Sequence, residues 1–255
     1  MSSLAGLRAL VTGGAKRLGR EMALFLGGQG FDVAVHYNGS KAEADEVVAL
    51  LNAMGRKAVA CATNLLDEDE TAALGPTAVE ALGGPISVLI NNASIFEPDE
   101  IETATRESWD RAIGSNLRAP FVLTQFLSGQ APEPSTDANG EPLAEALIIN
   151  LIDQRVRKLT PDFVSYTVAK MGLWAFTQTS AQALAGRVRV NGSGPGPTMQ
   201  GIRQSDEHFR NQRAASITGR GANPEDITHA LGYLLGAHAV TGQLICVDGG
   251  QHLGW

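Results

Sequence analysis

The 255-residue chain is short of cysteine, of aromatic side chains and of long apolar runs, and each shortage narrows what it can be. Its two cysteines, Cys61 and Cys246, lie far apart in short apolar runs, which reads as buried reduced thiols rather than a disulfide or a metal pair. His208, His229, His238 and His252 are scattered without metal-ligand spacing, so no metal is expected. No run reaches the roughly 18 apolar residues that a membrane helix needs. The opening Met1-Ser2-Ser3-Leu4 lacks the basic stretch and apolar core of a signal peptide, and a cytoplasmic location is expected. Basic residues are outnumbered 20 to 27, a formal net charge of −7, which argues against nucleic acid or an anionic membrane as a partner.

Small apolar residues and glycine are plentiful. Hydrophobic residues make up 44% and there are 29 glycines, a balance suited to helices packed closely on a sheet. Strand-length apolar runs recur at 8–12, 32–36, 57–63, 86–91, 146–151, 188–192 and 244–247. Helical patterns fill 17–28, 41–54, 68–82, 105–128, 163–185 and 224–236. Continuous Val/Ile/Leu runs mean strands covered on both faces, and strict alternation with helices means parallel crossovers. The expected fold is α/β: one doubly wound Rossmann-type domain over 1–255, with a seven-stranded parallel sheet flanked by helices on both faces. Residues 129–143, with three prolines among polar residues, read as an exposed loop and a tolerated surface insertion. Residues 194–218 follow the sixth strand at the carboxyl edge, where such folds bind ligands, and read as a cover over a small-molecule substrate.

The first strand runs into Thr12-Gly13-Gly14-Ala15-Lys16-Arg17-Leu18-Gly19 and then a helix. A glycine-rich turn from strand to helix lets the backbone approach a pyrophosphate at the positive end of that helix. The second strand ends His36-Tyr37-Asn38-Gly39-Ser40-Lys41, without the acid that usually meets an unphosphorylated ribose. A 2′-phosphate would instead find Arg17 and Ser40, with Lys16 or Lys41 as a further cation, which favours NADP(H) over NAD(H). Further on, Tyr166 and Lys170 stand four residues apart on one predicted helix face. A phenol with an ordinary pKa of about 10 is expected to be pulled down by a neighbouring ammonium.

These segments, in order, resemble the short-chain dehydrogenase/reductase family along nearly the whole chain. The matching motifs are Thr12–Gly19, Asn91-Asn92-Ala93-Ser94, Asn116, Tyr166-Thr-Val-Ala-Lys170, Arg189 to Gly196 and Val247-Asp-Gly-Gly250. The resemblance implies catalytic roles for Tyr166 as proton exchanger, for Lys170 on the nicotinamide ribose and for Asn116 in a proton relay. It implies cofactor contacts at Gly13, Lys16, Arg17, Leu18, His36, Tyr37, Asn38, Ser40, Asn64, Leu65, Asn92, Ala93, Ser94, Tyr166, Lys170, Pro195, Gly196 and Thr198. It also implies a homotetramer, with the tail through Trp255 near a subunit contact.

Departures from the usual pattern point further. Arg17 stands where the middle glycine of the turn belongs, Ser94 where most members have glycine, and Asp153 where the catalytic serine is usual. Asn64-Leu65 replaces the acid that meets adenine; an amide oxygen can still accept from the adenine amino group. The combination resembles pteridine reductases and dihydromonapterin reductases. That likeness implies substrate contacts at Arg17, Ser94, Phe96, Asp153 and Tyr166, with a pterin stacked on Phe96. The chemistry agrees: a carboxylate would repel the developing oxyanion of a ketone but can bond the ring nitrogens and amino group of a pterin. Asp153 as a mere cap or loop stabiliser is the plainer alternative. An NADPH-dependent reductase of carbonyls or 3-oxoacyl thioesters and a non-catalytic NADPH sensor are the functional rivals.

Overall fold

The computed structural model describes residues 7–201 and 203–254; Trp255, expected near a subunit contact, lies outside them. The strands are β1 (Arg8–Val11), β2 (Asp32–Tyr37), β3 (Ala58–Ala62), β4 (Val88–Asn91), β5 (Ser135–Thr136), β6 (Pro142–Leu143), β7 (Ala146–Leu151), β8 (Val188–Pro195) and β9 (Leu244–Val247). Seven of them form one sheet in the order β3-β2-β1-β4-β7-β8-β9, every pair parallel. The chain works outward from β1 to β3 and then returns to β4, so the order reverses between β1 and β4. The helices are α1 (Arg17–Gly28), α2 (Lys41–Ala53), α3 (Glu68–Leu82), α4 (Arg106–Ile113), α5 (Ala119–Gln130), α6 (Val164–Ala183), α7 (Asp206–Ala214) and α8 (Pro224–Gly236).

Successive side chains of a strand face opposite ways, and the continuous apolar runs feed two cores. On one face Ala9, Val11, Val33, Val35, Val88, Ile90, Leu147 and Ile149 meet Met22 and Leu26 of α1, Val47 and Leu51 of α2, and Leu231 and Leu234 of α8. On the other, Leu10, Ala34, Leu89, Ala146 and Ile148 meet Leu74, Ala78 and Leu82 of α3, Leu123 and Leu127 of α5, and Ala181 of α6. Cys61 is buried on β3 and Cys246 half-buried on β9, both as free thiols.

Three stretches differ from the expected pattern. The helix expected over 105–128 is broken at Gly114–Arg118 by a turn of π-helix, which holds Asn116. The expected loop 129–143 begins with the last turn of α5 and then folds β5 against β6 as an antiparallel hairpin. Its turn is made by Asp137, whose carboxylate accepts from the Asn139 and Glu141 amides at 2.8 Å. The segment 194–218 contains the end of β8 and the whole of α7, which is capped by the Ser205 side chain. Among the described residues no helix is long and apolar enough to cross a membrane.

Candidate active site

The turn between β1 and α1 lies where the sheet order reverses. Gly13 has φ +61° and Arg17 φ +54°. An L side chain in this left-handed region costs about 1–2 kcal/mol, so Arg17 holds a strained position where the motif has glycine. Gly19 admits nothing larger, because a Cβ there would stand 2.0 Å from the Gly13 carbonyl oxygen. Thr12 Oγ1 accepts from the amides of Asn92 and Ala93 at 2.9 and 3.0 Å. Asn92 Nδ2 donates back to the carbonyls of Thr12 and Gly13 at 2.8 and 3.1 Å. Helix α1 has no side-chain cap and no acid in its first turn, so its N-terminal amides are open to an anion.

His36, expected beside the adenosine ribose, is instead 2% exposed and serves the turn. Its Nδ1 accepts from the Gly13 amide at 2.9 Å, so the ring proton sits on Nε2 and faces the Thr63 carbonyl at 3.0 Å. Burial lowers its pKa, against the pull of the Thr63 carbonyl. Tyr37 and Leu18 pack partly against the core, Asn38 is exposed, and Ser40 starts α2 without a side-chain cap bond. Lys16, expected near phosphate, pairs with Glu43 at 2.5 Å. Arg17 is also engaged elsewhere: its guanidinium donates to the carbonyls of Gln200 and Met199 at 2.7 and 2.9 Å, tying the turn to the segment after Thr198. Asn64 Oδ1 accepts from the Leu66 amide at 3.1 Å, and Leu65 packs on the core. Pro195 closes β8, a Cβ on Gly196 would lie 2.6 Å from Asp248, and buried Thr198 donates to the Gly196 carbonyl at 3.1 Å.

At the ends of β7 and α6 the structure brings Asp153 and Tyr166 together, the phenol donating to Asp153 Oδ2 at 2.9 Å. The other carboxylate oxygen accepts from the Arg155 amide at 2.8 Å and caps the 3-10 turn Gln154–Arg157. Capping and contact with Tyr166 are therefore both true of this carboxylate. Lys170 is buried with its Nζ donating to the Leu151 carbonyl at 2.7 Å and lying 5.6 Å from the centre of the Tyr166 ring. Burial pushes the lysine down to about 8, with Asp153 opposing. The expected lowering of Tyr166 does not occur. Burial first, then the Asp153 charge and hydrogen bond, push the phenol well above its ordinary value; Arg155 and Ser94 pull weakly the other way. Asn116, fully buried, spends its amide on Ile95, donating to its carbonyl at 2.8 Å and accepting from its N–H at 2.9 Å. It holds the strand-to-loop exit that carries Ser94 and Phe96.

Phe96, 43% exposed, stacks on Phe163 with centroids 4.1 Å apart and rings 11° from parallel, and meets the Tyr166 ring edge-on at 4.7 Å. The Arg155 guanidinium lies 5.2 Å from the Phe163 ring centre, and Arg203 donates to the Phe96 carbonyl. Phe163, Arg155 and Arg203 had no signal in the sequence: none belongs to a motif, and only the fold brings them to the tyrosine. A buried amide chain was missed too. Asn91 Nδ2 donates to Asn150 Oδ1 at 2.8 Å, and Asn150 Nδ2 donates to Thr177 Oγ1 at 2.9 Å, stitching β4, β7 and α6 beneath the site.

Known proteins resemble the chain over nearly all of it. The family described as enoyl-(acyl carrier protein) reductase matches residues 13–252. The 3-oxoacyl-(acyl-carrier-protein) reductase FabG of Staphylococcus aureus is 31% identical over 250 residues, 96% of this chain and 98% of that protein. Among solved structures, the FolM alternative dihydrofolate reductase 1 of Brucella suis, in complex with NADP, superposes with a TM-score of 0.91 at 37% identity, covering 99% of this chain and 97% of that one. The angucycline C-6 ketoreductase LanV, with bound NADP, reaches a TM-score of 0.87 at 28% identity, covering 99% and 98%. With its Rossmann-type sheet, its strand-to-helix glycine turn and a relative more than 30% identical across its length, the chain belongs to the short-chain dehydrogenase/reductase family.

Proposed function

We propose that the chain is an NADPH-dependent reductase of a C=N bond in a pterin or dihydropterin, working as a cytoplasmic homotetramer. The observation that carries this is the Asp153 carboxylate 2.9 Å from the Tyr166 hydroxyl, at the position where the family's usual catalytic group is a serine hydroxyl. The likeness to the Brucella protein supports the same side, and the exposed Phe96 ring offers a flat surface for a planar heterocycle.

The residues present fit NADPH. The open, acid-free N-terminus of α1, held close against the turn by the packing of Gly19 on the Gly13 carbonyl, suits a pyrophosphate, and the absence of a carboxylate after β2 suits a phosphorylated ribose. When bound, NADPH supplies the hydride. The chain's own groups handle orientation and protons. Asp153 accepts from the amino group or a ring N–H of the heterocycle, orienting it over Phe96. Tyr166, kept protonated by burial and by the carboxylate, holds a proton on Oη that it exchanges with the Asp153 pair and delivers to the substrate nitrogen. Lys170, fixed on the Leu151 carbonyl, presents its ammonium for the nicotinamide ribose. Asn116 keeps the Ser94–Phe96 segment in place through Ile95.

The second reading, a 3-oxoacyl thioester reductase, is favoured by the 31% identity to FabG. NADPH consumption with a dihydropterin is compared with consumption with an acetoacetyl thioester. Turnover of the dihydropterin is expected, with loss in Tyr166→Phe; turnover of the thioester alone would overturn the proposal.

A further inference from the structure

Helix α6 starts in an unusual way. The residue at its N-cap, Phe163, has φ +58° and ψ +49° and makes no side-chain cap bond. Caps are normally Ser, Thr, Asp or Asn, whose oxygens satisfy the first free amides of the helix; a phenylalanine has no acceptor to offer. The missing acceptors come from Asp99, 66 positions away from Ser165 in the chain. The Ser165 amide donates to Asp99 Oδ1 at 3.1 Å, and the Val164 amide donates to the Asp99 carbonyl at 3.2 Å. Ser108, in the first turn of α4, donates its hydroxyl to Asp99 Oδ2 at 3.0 Å. The aspartate is 6% exposed and borders a cavity of about 270 Å³ that Phe163 also lines. Burial alone would raise its pKa, but the hydrogen bonds from Ser165, Ser108 and Val164 outweigh it and keep the carboxyl ionised.

We propose that Asp99 is a positioning residue for Tyr166: from the loop that carries Phe96 it caps α6 in place of Phe163, so that the aromatic surface and the proton-donating phenol share one anchor. Tyr166 is the third residue of α6, one beyond the capped Ser165. Where the cap sits therefore sets where the phenol stands relative to Asp153. Phe163 is released from capping to stack on Phe96, three residues before Asp99 in the same loop.

The inference rests on Tyr166 as proton donor, not on the identity of the substrate, and the test uses whichever substrate the enzyme reduces. In Asp99→Ala, kcat is expected to fall about tenfold or more, the scale of a small misplacement of a catalytic group. Its basic limb should move to lower pH, because a phenol displaced from Asp153 loses the charge that raises its pKa. The Kd for NADPH should stay within about twofold, since the nucleotide turn is untouched. Asp99→Asn, whose amide oxygen still accepts from Ser165, should keep most of the activity, and a loss equal to that of the alanine variant would overturn the capping role. If Asp99→Ala does not fold, Asp99→Glu keeps the charge but shifts the acceptor by one methylene, and the same loss and the same pH shift are expected. A lowered Tm with kcat and pH profile unchanged would overturn the proposal. Full turnover in Tyr166→Phe would instead sink the underlying assignment; a dead Tyr166→Phe beside Asp99 variants that behave like the wild type would sink this inference alone.

Discussion

Asp153 and Tyr166 meet at 2.9 Å, carboxylate to phenol, while the second oxygen of the same carboxylate is held by the Arg155 amide. A phenol that already donates to a carboxylate is poorly available to a bare carbonyl oxygen. A heterocycle that presents an N–H or amino group beside an unprotonated ring nitrogen can engage both groups, the donor occupying the Asp153 carboxylate and the bare nitrogen taking the phenol proton. In Asp153→Ser, dihydropterin turnover is expected to fall about 100-fold, the lower range of positioned acid–base catalysis, while turnover of an oxoacyl thioester appears or rises. Steady-state NADPH oxidation on both substrates decides this. Undiminished dihydropterin turnover would remove the carboxylate from the chemistry.

The same contact has a signature in pH. The negative charge of Asp153 stands second only to burial in raising the Tyr166 pKa. Asp153→Asn removes the charge and keeps the shape, so the phenol should ionise at lower pH. The basic limb of kcat/KM, where the donor proton is lost, should then move down. An unmoved limb would belong to another group.

Cofactor choice can be tested at the end of β2. Asn38 is exposed there, in a stretch without any carboxylate. Asn38→Asp introduces the acid that would repel a 2′-phosphate and accept from a ribose hydroxyl. The ratio of kcat/KM for NADPH over NADH is expected to drop by about tenfold or more, since hydrogen bonds to charged groups are worth about 1.5–3 kcal/mol. An unchanged ratio would mean that the phosphate does not come near this corner.

Much of this was legible in the sequence, because the sheet is buried on both faces. Runs such as Ala146–Leu151 and Asp32–Tyr37 are mostly apolar, and their alternate residues feed the two cores. The contact between Asp153 and Tyr166 was legible through motif spacing. Side-chain commitments were not. His36, Lys16 and Arg17 all lie in the nucleotide corner, but periodicity says nothing about the Thr63 carbonyl, Glu43 or the Met199 and Gln200 carbonyls that occupy them. The raised Tyr166 pKa escaped for the same reason: spacing places a lysine nearby but does not show how deeply the phenol is buried, and burial, followed by the Asp153 charge, sets the direction. Asp99 gave no signal because its partners are 9 and 66 positions away.

His36 gives a prediction on stability. Its folded pKa lies below its ordinary 6.5, so the unfolded chain takes up the proton first as pH falls. The bonds to Gly13 and Thr63 thus contribute fully above pH 6.5, and stability is lost as pH falls below it. His36→Gln keeps an acceptor and a donor but does not titrate. Thermal midpoints across the acid range should fall less steeply in the variant than in the wild type. Parallel curves would show that the imidazole stays neutral in both folded and unfolded states or contributes nothing.

Phe163 separates stability from function in a single substitution. Its backbone is left-handed, which an L aromatic residue adopts at a cost and Asn tolerates far better. Asn would also offer a side-chain acceptor at the start of α6. Phe163→Asn should therefore keep or raise Tm, an outcome opposite to that of most buried aromatic truncations. What it loses is the ring stacked on Phe96, and aromatic pairs contribute about 0.5–1.5 kcal/mol beyond their buried area. The KM for a dihydropterin should then rise by up to about tenfold while the Kd for NADPH stays unchanged. A lower Tm with an unaltered KM would mean that Phe163 is there for packing, and the strain at its backbone would have no catalytic return.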